Sequence, residues 1–388
     1  MASKSYSLDS MVEVSFKNLT KPVSSKSFDK IVFVIDEAEA GTKWKPTDRK
    51  KDYNNFDDFK ADKFDETKYV FKAVEKAFRQ ERIGKLSIAR KMATDASMDE
   101  ALDAIDEAMQ GNFFYFTTSM EFNDLIVTDE IQKWAEKTDH VYIKALNEVS
   151  FTDKYSKTDF IGDRILNQYR KSSIGYDENI EANASDLIFC LCQGATLSLE
   201  RPGFDAPEKT DGFNDFIGIL PTELNSEQIK NLTENRIWYI TNQNNKVFFR
   251  NVVNAYEHAY SKELSMFLGQ DIFFTFVLTW LKIVQQERIF SFHMSPGRKY
   301  MDNQTIASVR GICKSVLSEA INYKLLLPNG DNIDVNGVAT EVKNEVSTFT
   351  QGSLTQSQRQ SGELGRFEEN IFIPNAPRIY KLGINYSS

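Results

Sequence analysis

Residues Ile31-Val32-Phe33-Val34-Ile35 form an unbroken apolar run. A strand made from it has no face to offer to water, so it needs cover on both sides, the situation of a parallel sheet between helices. The chain that follows supplies that cover in alternation. Val70, Ala73, Val74, Ala77 and Phe78 share one helical face, and a strand follows at Leu86-Ser87-Ile88-Ala89. Ser97-Met98-Asp99-Glu100 reads as a capping box, with the serine satisfying an early helix N–H and the glutamate reaching back. The helix it opens carries Met98, Ala101, Leu102, Ile105 and Met109 on one side and stops at Gly111. Phe113–Phe116 is strand-like, Ile131, Trp134 and Ala135 mark a short helix, and Val141-Tyr142-Ile143 is the next strand. This β-α-β-α-β rhythm predicts an α/β fold, a helix-covered mixed, largely parallel sheet body.

The second half continues less regularly. Helical faces fall at Phe160, Ile161, Ile165 and Tyr169, and at Leu187, Ile188, Leu191 and Ala195. Leu199–Gly212 is rich in Pro, Gly and charge and marks a possible sub-boundary near 200–212. Phe213–Ile219 reads as a strand, and Leu224–Leu232 as a helix capped by Asn225 or Ser226. Asn242–Asn245 is a turn between strands at Ile237–Ile240 and Lys246–Arg250. Two long helices follow, one facing inward through Phe273, Phe276, Val277, Trp280, Leu281 and Val284, the other through Ile306, Val309, Ile312, Cys313, Val316 and Leu317. Asp36–Phe64, dense in Lys and Asp, reads as a solvated excursion. No repeat of fixed period is present.

Both ends carry strand-like segments. Val12, Val14 and Phe16 alternate with polar residues, and Ile371, Phe372, Ile373, Ile379, Tyr380 and Ile384 follow a polar, Gly-dotted stretch over Ser347–Arg366. A short strand on a polar tether cannot satisfy its own N–H and C=O groups and must find a sheet edge. That edge belongs either to the chain's own sheet or to a neighbour's, and the pattern alone leaves both open. The expected division is an N-terminal assembly arm over 1–27, a body over 28–340 and a C-terminal tether and arm over 341–388.

The formal net charge of −9 and pI near 5.2 argue against nucleic acid or an anionic membrane as the main partner. Met1–Ser10 is polar, without a basic-then-apolar leader, and Ile272–Val284 is too short and too interrupted to span a bilayer. The expectation is a soluble protein. Cys190, Cys192 and Cys313 are too few for a disulfide framework and lack a second cluster for zinc, so they read as buried thiols. Neither a phosphate-cradling glycine loop nor a nucleophile motif occurs. Asn332, Asp334, Asn336 and Gly337 imitate a calcium loop, but Lys343 stands where the last acid is needed. No catalytic residue, metal ligand or cofactor is expected.

The order of motifs resembles the tail sheath proteins of contractile bacteriophage tails. A Val12-Glu13-Val14-Ser15 strand and Lys21-Pro22-Val23 turn precede Phe28–Ile35; Tyr69–Ala73 opens a helix leading to Lys85–Arg90. Phe216–Pro221 then leads into Leu224–Leu232, and Asp271–Ile289 and Thr305–Asn322 stand where the family has paired helices. The resemblance covers most of residues 10 to 325. The chain departs from the family in lacking a small Gly-rich β-insertion and in carrying Met294-Ser295-Pro296-Gly297 after the first long helix. The resemblance implies compact bodies whose terminal arms add strands to neighbours, in hexameric rings stacked around a tail tube and contracting without nucleotide. Implied partners are the chain itself, the tube protein, and baseplate and tail-terminator proteins. The implied location is the virion tail, assembled in the host cytoplasm. Two other readings remain open: another tail or baseplate component, and an α/β enzyme whose site has no recognisable motif.

Overall fold

The structure is a computed structural model that describes residues 30–80, 85–167, 169–196, 217–243, 246–250, 272–296, 302–333, 339–347, 350–356 and 367–373. The chain divides into two compact units, Met1–Lys299 and Tyr300–Ser388.

The first unit is organised by an eight-stranded sheet in the order β2-β3-β1-β4-β5-β6-β7-β8. The strands are β1 (Ile31–Asp36), β2 (Lys50–Tyr53), β3 (Leu86–Lys91), β4 (Tyr115–Thr118), β5 (Val141–Leu146), β6 (Ser172–Tyr176), β7 (Trp238–Gln243) and β8 (Lys246–Arg250). The inner strands from β3 to β7 run parallel, while β2 and β8 close the edges antiparallel. This is the largely parallel sheet that the apolar run demanded, and Ile31 to Ile35 are all buried at its centre. The charged edge strand β2, Lys-Lys-Asp-Tyr, discourages uncontrolled pairing there.

Helices α1 (Phe56–Ala61) and α2 (Tyr69–Phe78) lie between β2 and β3, and α3 (Met98–Met109) and α4 (Leu125–Lys137) follow β3 and β4. Beyond β5 come α5 (Phe160–Leu166), then α6 (Ile180–Asn183), α7 (Ser185–Thr196) and α8 (Ser226–Glu234), the last three joining β6 to β7. One core cluster joins Leu102, Ile105, Ile131, Trp134, Ile161 and Leu232 of the helices to Val32, Val34, Phe116, Tyr142 and Ile174 of the sheet. Two of the helix starts expected from the sequence show their local cause. Ser97 Oγ accepts from Glu100 N–H at 3.1 Å, although Glu100 reaches back to Ala96 N–H rather than to Ser97. Asn225 and Gln228 form a full reciprocal box at α8.

Several expectations require correction. The stretch Asp36–Phe64 is not merely a solvated excursion: Trp44, Tyr53, Phe59 and Phe64 are buried in a small aromatic core of their own. Phe59 stacks on Phe64 at 4.1 Å, and Trp44 Nε1 donates to the Tyr53 hydroxyl at 2.9 Å. Its aromatics follow no helical or strand period, and its charges stay at the rim, which hid the core from a pattern search. The described part of Phe213–Ile219 is not a strand but a turn, with Gly218 at φ 69°. The helix containing Ile165 ends at Leu166, so Tyr169 lies beyond it.

Helix α9 (Ile272–Met294) continues the first unit. Its predicted single face is too narrow a description, since Lys282, Gln285 and Gln286 are buried along with Phe276, Trp280 and Leu281. Lys282 Nζ shares the Asp139 carboxylate with Lys171 Nζ, at 3.1 and 3.2 Å respectively.

The second unit holds α10 (Asn303–Asn322), the hairpin of β9 (Gly330–Ile333) and β10 (Ala339–Val342), and the short antiparallel pair β11 (Glu345–Val346) and β12 (Glu369–Asn370). Burial pushes the Cys313 thiol of α10 up to about 12, so it behaves as a small apolar group.

Gly175 of β6 is fixed by close approach. A Cβ there would lie 2.2 Å from the Trp238 indole of the neighbouring strand. Gly175→Ala should therefore lower stability by about 1–3 kcal/mol, the scale of overpacking in a full core. Denaturant unfolding would read this, and an unchanged midpoint would contradict the packing described.

Candidate functional site

The connections leaving β1 and β4 diverge. From β1 the chain moves through β2, α1 and α2 to β3 on one side, and from β4 it moves through α4 to β5 on the other. In doubly wound sheets ligands bind at this reversal, beyond the carboxyl ends of the two strands. Here the reversal is filled by the chain's own polar side chains.

β1 ends at Asp36, whose side chain caps a 3-10 turn at Glu37–Glu39. The turn delivers Glu39 inward, where Glu39 Oε2 accepts from Ser119 Oγ at 2.5 Å and from Asp36 N–H at 3.0 Å. Ser119 follows β4 and donates its N–H to Val34 O at 2.8 Å. Lys144, from the carboxyl half of β5, completes the network. Its Nζ donates to Thr118 O at 2.7 Å, Ser119 O at 3.1 Å and Asp186 Oδ2 at 3.0 Å. The other Asp186 oxygen, Oδ1, accepts from the Tyr69 hydroxyl at 3.2 Å and from Leu187 N–H at 2.8 Å. Both Lys144 and Asp186 side chains are fully buried.

A second buried carboxylate stands beside this pair. Asp177, just after β6, accepts from both Asn179 N–H and Asn183 Nδ2, and Asn183 in turn exchanges two hydrogen bonds with the Leu220 main chain. Burial raises Glu39 and Asp177 above the ordinary carboxylate range and lowers Lys144 below that of a free lysine. Every donor of the Lys144 ammonium has an acceptor, which is how a charge survives with no water around it.

Chemically, the arrangement ties β4, β5, α2 and α7 together at the sheet's carboxyl edge. The turn after β1 reads Glu-Ala-Glu, with side chains rather than glycines entering the space a phosphate group would need. Among the described residues no cluster of His, Cys, Asp or Glu could hold a metal ion, and no helix is long and apolar enough to cross a membrane. His140 is a packing element, its ring stacked 3.9 Å from Phe113 and 5.2 Å from Trp134.

The sequence-derived site residues fall elsewhere. Val12, Val14, Phe16, Ile379, Tyr380 and Ile384 lie outside the described residues. Ile371, Phe372 and Ile373 directly follow β12, and the Phe372 main chain is held within the second unit. Its N–H donates to Asn344 Oδ1 and its carbonyl accepts from Leu327 N–H, both at 2.8 Å. Asn344 also donates to Leu327 O at 2.7 Å, so one amide joins three segments. The Glu39–Ser119–Lys144–Asp186 network was not anticipated. Its one legible signal was a lysine inside Val-Tyr-Ile-Lys-Ala-Leu, a strand with no exposed face.

No protein-family model matches the chain, and no curated protein matches it in sequence. Its fold does have solved counterparts. A chain of the anti-feeding prophage baseplate superposes with a TM-score of 0.62 at 12% identity, over 100% of this chain and 99% of the other. A chain of the helical sheath of the same particle, in its contracted state, gives 0.59 at 11% identity over 100% and 99%. The sheath tail protein of Desulfitobacterium hafniense gives 0.51 at 11% identity over 84% of this chain and 94% of its own. The chain is thus a doubly wound α/β protein with antiparallel edges. More particularly, its fold is that of the contractile tail sheath proteins, as the order of its sequence motifs led us to expect.

Two predictions follow from the network. Lys144→Met leaves Asp186 buried without its cation and should cost about 3–5 kcal/mol in denaturant unfolding; a loss within experimental error would show that the pair is not tightly held. The second concerns pH. Because the folded-state pKa of Glu39 is raised above its ordinary 4.5, the folded protein binds that proton more tightly than the unfolded chain. Its stabilising contribution is complete below that value and is lost as pH rises through the folded pKa. Glu39→Gln should flatten this decline, leaving the share due to Asp177. An unaltered slope of stability against pH would contradict the assignment.

Proposed function

We propose that this chain is a structural subunit of a contractile phage-like tail sheath. It polymerises as stacked hexameric rings around a tail tube and contracts to drive the tube through a host envelope. The observation that carries this reading is the likeness over the full length of both chains to a contracted helical sheath. The filled switch point supports it, because it puts structural side chains where a doubly wound enzyme keeps its ligand. On this reading the chain is not an enzyme, and energy for movement is stored in contacts between subunits rather than in a bond to be cleaved. Its partners are other copies of itself, the tube protein, and baseplate and terminator proteins, and its place is the virion tail, assembled in the host cytoplasm.

The terminal segments act as assembly arms, over 1–27 and within 341–388. The C-terminal arm is rooted at Asn344 and β12, so strand exchange with a neighbour uses Ile379, Tyr380 and Ile384 beyond that root, together with Val12, Val14 and Phe16 at the other end. A second reading has a specific observation behind it: the baseplate chain aligns slightly better than the sheath chain. A baseplate component forms a ring of limited size rather than a long tube.

Electron microscopy of the purified protein tests these readings. Long tubes or stacked rings are expected for the sheath, and discrete rings alone would favour the baseplate. Particles that remain monomeric under all assembly conditions would contradict both. Truncation after Ile373 keeps the anchored root and should leave the melting temperature of the subunit nearly unchanged while abolishing assembly. Truncated protein that still forms tubes would remove the C-terminal arm from the account.

A further inference from the structure

We propose that Lys144 and Asp186 condense into an internal amide bond, cross-linking β5 to the first turn of α7. The inference rests on the geometry of this chain alone and does not depend on the sheath reading.

The two reacting groups are already in contact. Lys144 Nζ lies 3.0 Å from Asp186 Oδ2, and neither side chain has any exposure to solvent. Held partners in a dry site replace a bimolecular encounter with an intramolecular one, the circumstance that gives well-oriented groups very high effective concentrations. The opposite carboxylate oxygen is placed for the negative charge that develops during attack. Asp186 Oδ1 receives the Tyr69 hydroxyl at 3.2 Å and Leu187 N–H at 2.8 Å. Two donors converging on one oxygen are the arrangement that stabilises a tetrahedral oxyanion.

The step balances without any other reactant. Lys144 enters as an ammonium and Asp186 as a carboxylate. One proton passes from Nζ to Oδ2 along their hydrogen bond, and a neutral amine then attacks Cγ. The Nζ–Cγ bond forms as charge collects on Oδ1. A second proton moves from nitrogen to Oδ2 as the Cγ–Oδ2 bond breaks, releasing one water. The third proton stays on the amide nitrogen. No oxidant, nucleotide or metal is involved.

The surroundings favour both the transfer and the product. Burial destabilises the charged amine, with Asp186 opposing that effect, so the neutral amine is brought within reach. Thr118 O and Ser119 O hold the nitrogen in place. Glu39 accepts a hydrogen bond from Oγ of Ser119, whose carbonyl in turn accepts from Lys144 Nζ, and burial raises the Glu39 pKa, so a second carboxyl group stands at the edge of the reacting pair. Asp186 also opens a helix whose following residues, Leu187 to Leu191, are buried, which keeps its carboxyl group from swinging to water. A cross-link here would fasten α7 to the centre of the sheet.

Intact mass of the purified full-length chain tests the proposal directly. The expected result is a mass lower than that of the sequence by one water. Tryptic digestion should then yield one branched peptide joining the Lys144 and Asp186 segments, uncleaved at Lys144. Lys144→Arg, which keeps the positive charge, should restore the full mass. Tyr69→Phe should lower the cross-linked fraction several-fold at matched times, because it removes one oxyanion donor. Wild-type protein that retains its full mass after prolonged incubation would overturn the proposal. A water loss that maps to an unbranched peptide, as in succinimide formation at another aspartate or asparagine, would overturn it equally. Equal cross-linking in the Tyr69→Phe variant would overturn the part assigned to that hydroxyl.

Discussion

The carboxyl edge of a parallel sheet collects polar main-chain ends and has to be closed by something. In this protein the closure is the Lys144–Asp186 pair, with Glu39 and Ser119 beside it. The lysine draws on the end of β4 and on the start of α7 at once, and the turn after β1 joins through the Ser119 hydroxyl beside it. Before they condense, the two groups form a charged pair, which without solvent is costly unless its hydrogen bonds are complete, and this one is complete. The same condition makes the site intolerant of losing either partner. It also distinguishes this sheet from relatives in architecture that leave the crevice open for a ligand.

Much of the first unit was legible before any coordinates. The Ile31–Ile35 run required cover on both faces, and the apolar pattern placed α3 and α4 between the correct strands and α2 before β3, while the short edge strand β2 escaped it. Local chemistry sharpened the ends: Ser97 and Asn225 are helix caps, and β7, which runs on to Gln243, pairs antiparallel with β8 from Lys246. The aromatic core over Trp44, Tyr53, Phe59 and Phe64 was not legible, because an irregular segment has no period for its buried residues to follow. The switch-point network was hidden for a related reason. Glu39, Ser119, Lys144 and Asp186 come from four separate segments, and only the strand order brings them together. Lys144 alone carried a warning, as a charge in the middle of an otherwise apolar strand.

At the far end of the chain, the structure adds a point that periodicity missed. The polar stretch before the last apolar residues contains the buried Leu354, and it returns at β12 to pair with β11. The Asn344 side chain then fixes the Phe372 main chain. An arm that must hold a partner benefits from such a root, since force applied beyond it meets these hydrogen bonds first. This gives the sheath reading a physical starting point for its C-terminal arm while leaving the body's own closure intact.

The central claim is that the switch point is occupied by the protein itself and serves cohesion rather than ligand binding. Hydrogen–deuterium exchange of the purified chain, with and without millimolar ATP, reads that region peptide by peptide. The account predicts strong protection at Val34–Glu39, Thr118–Ser119 and Asp186–Leu187 in the free protein, unchanged by the nucleotide. Fast exchange at those peptides, or saturable added protection when ATP is present, would mean that the crevice opens to a ligand and would contradict the claim.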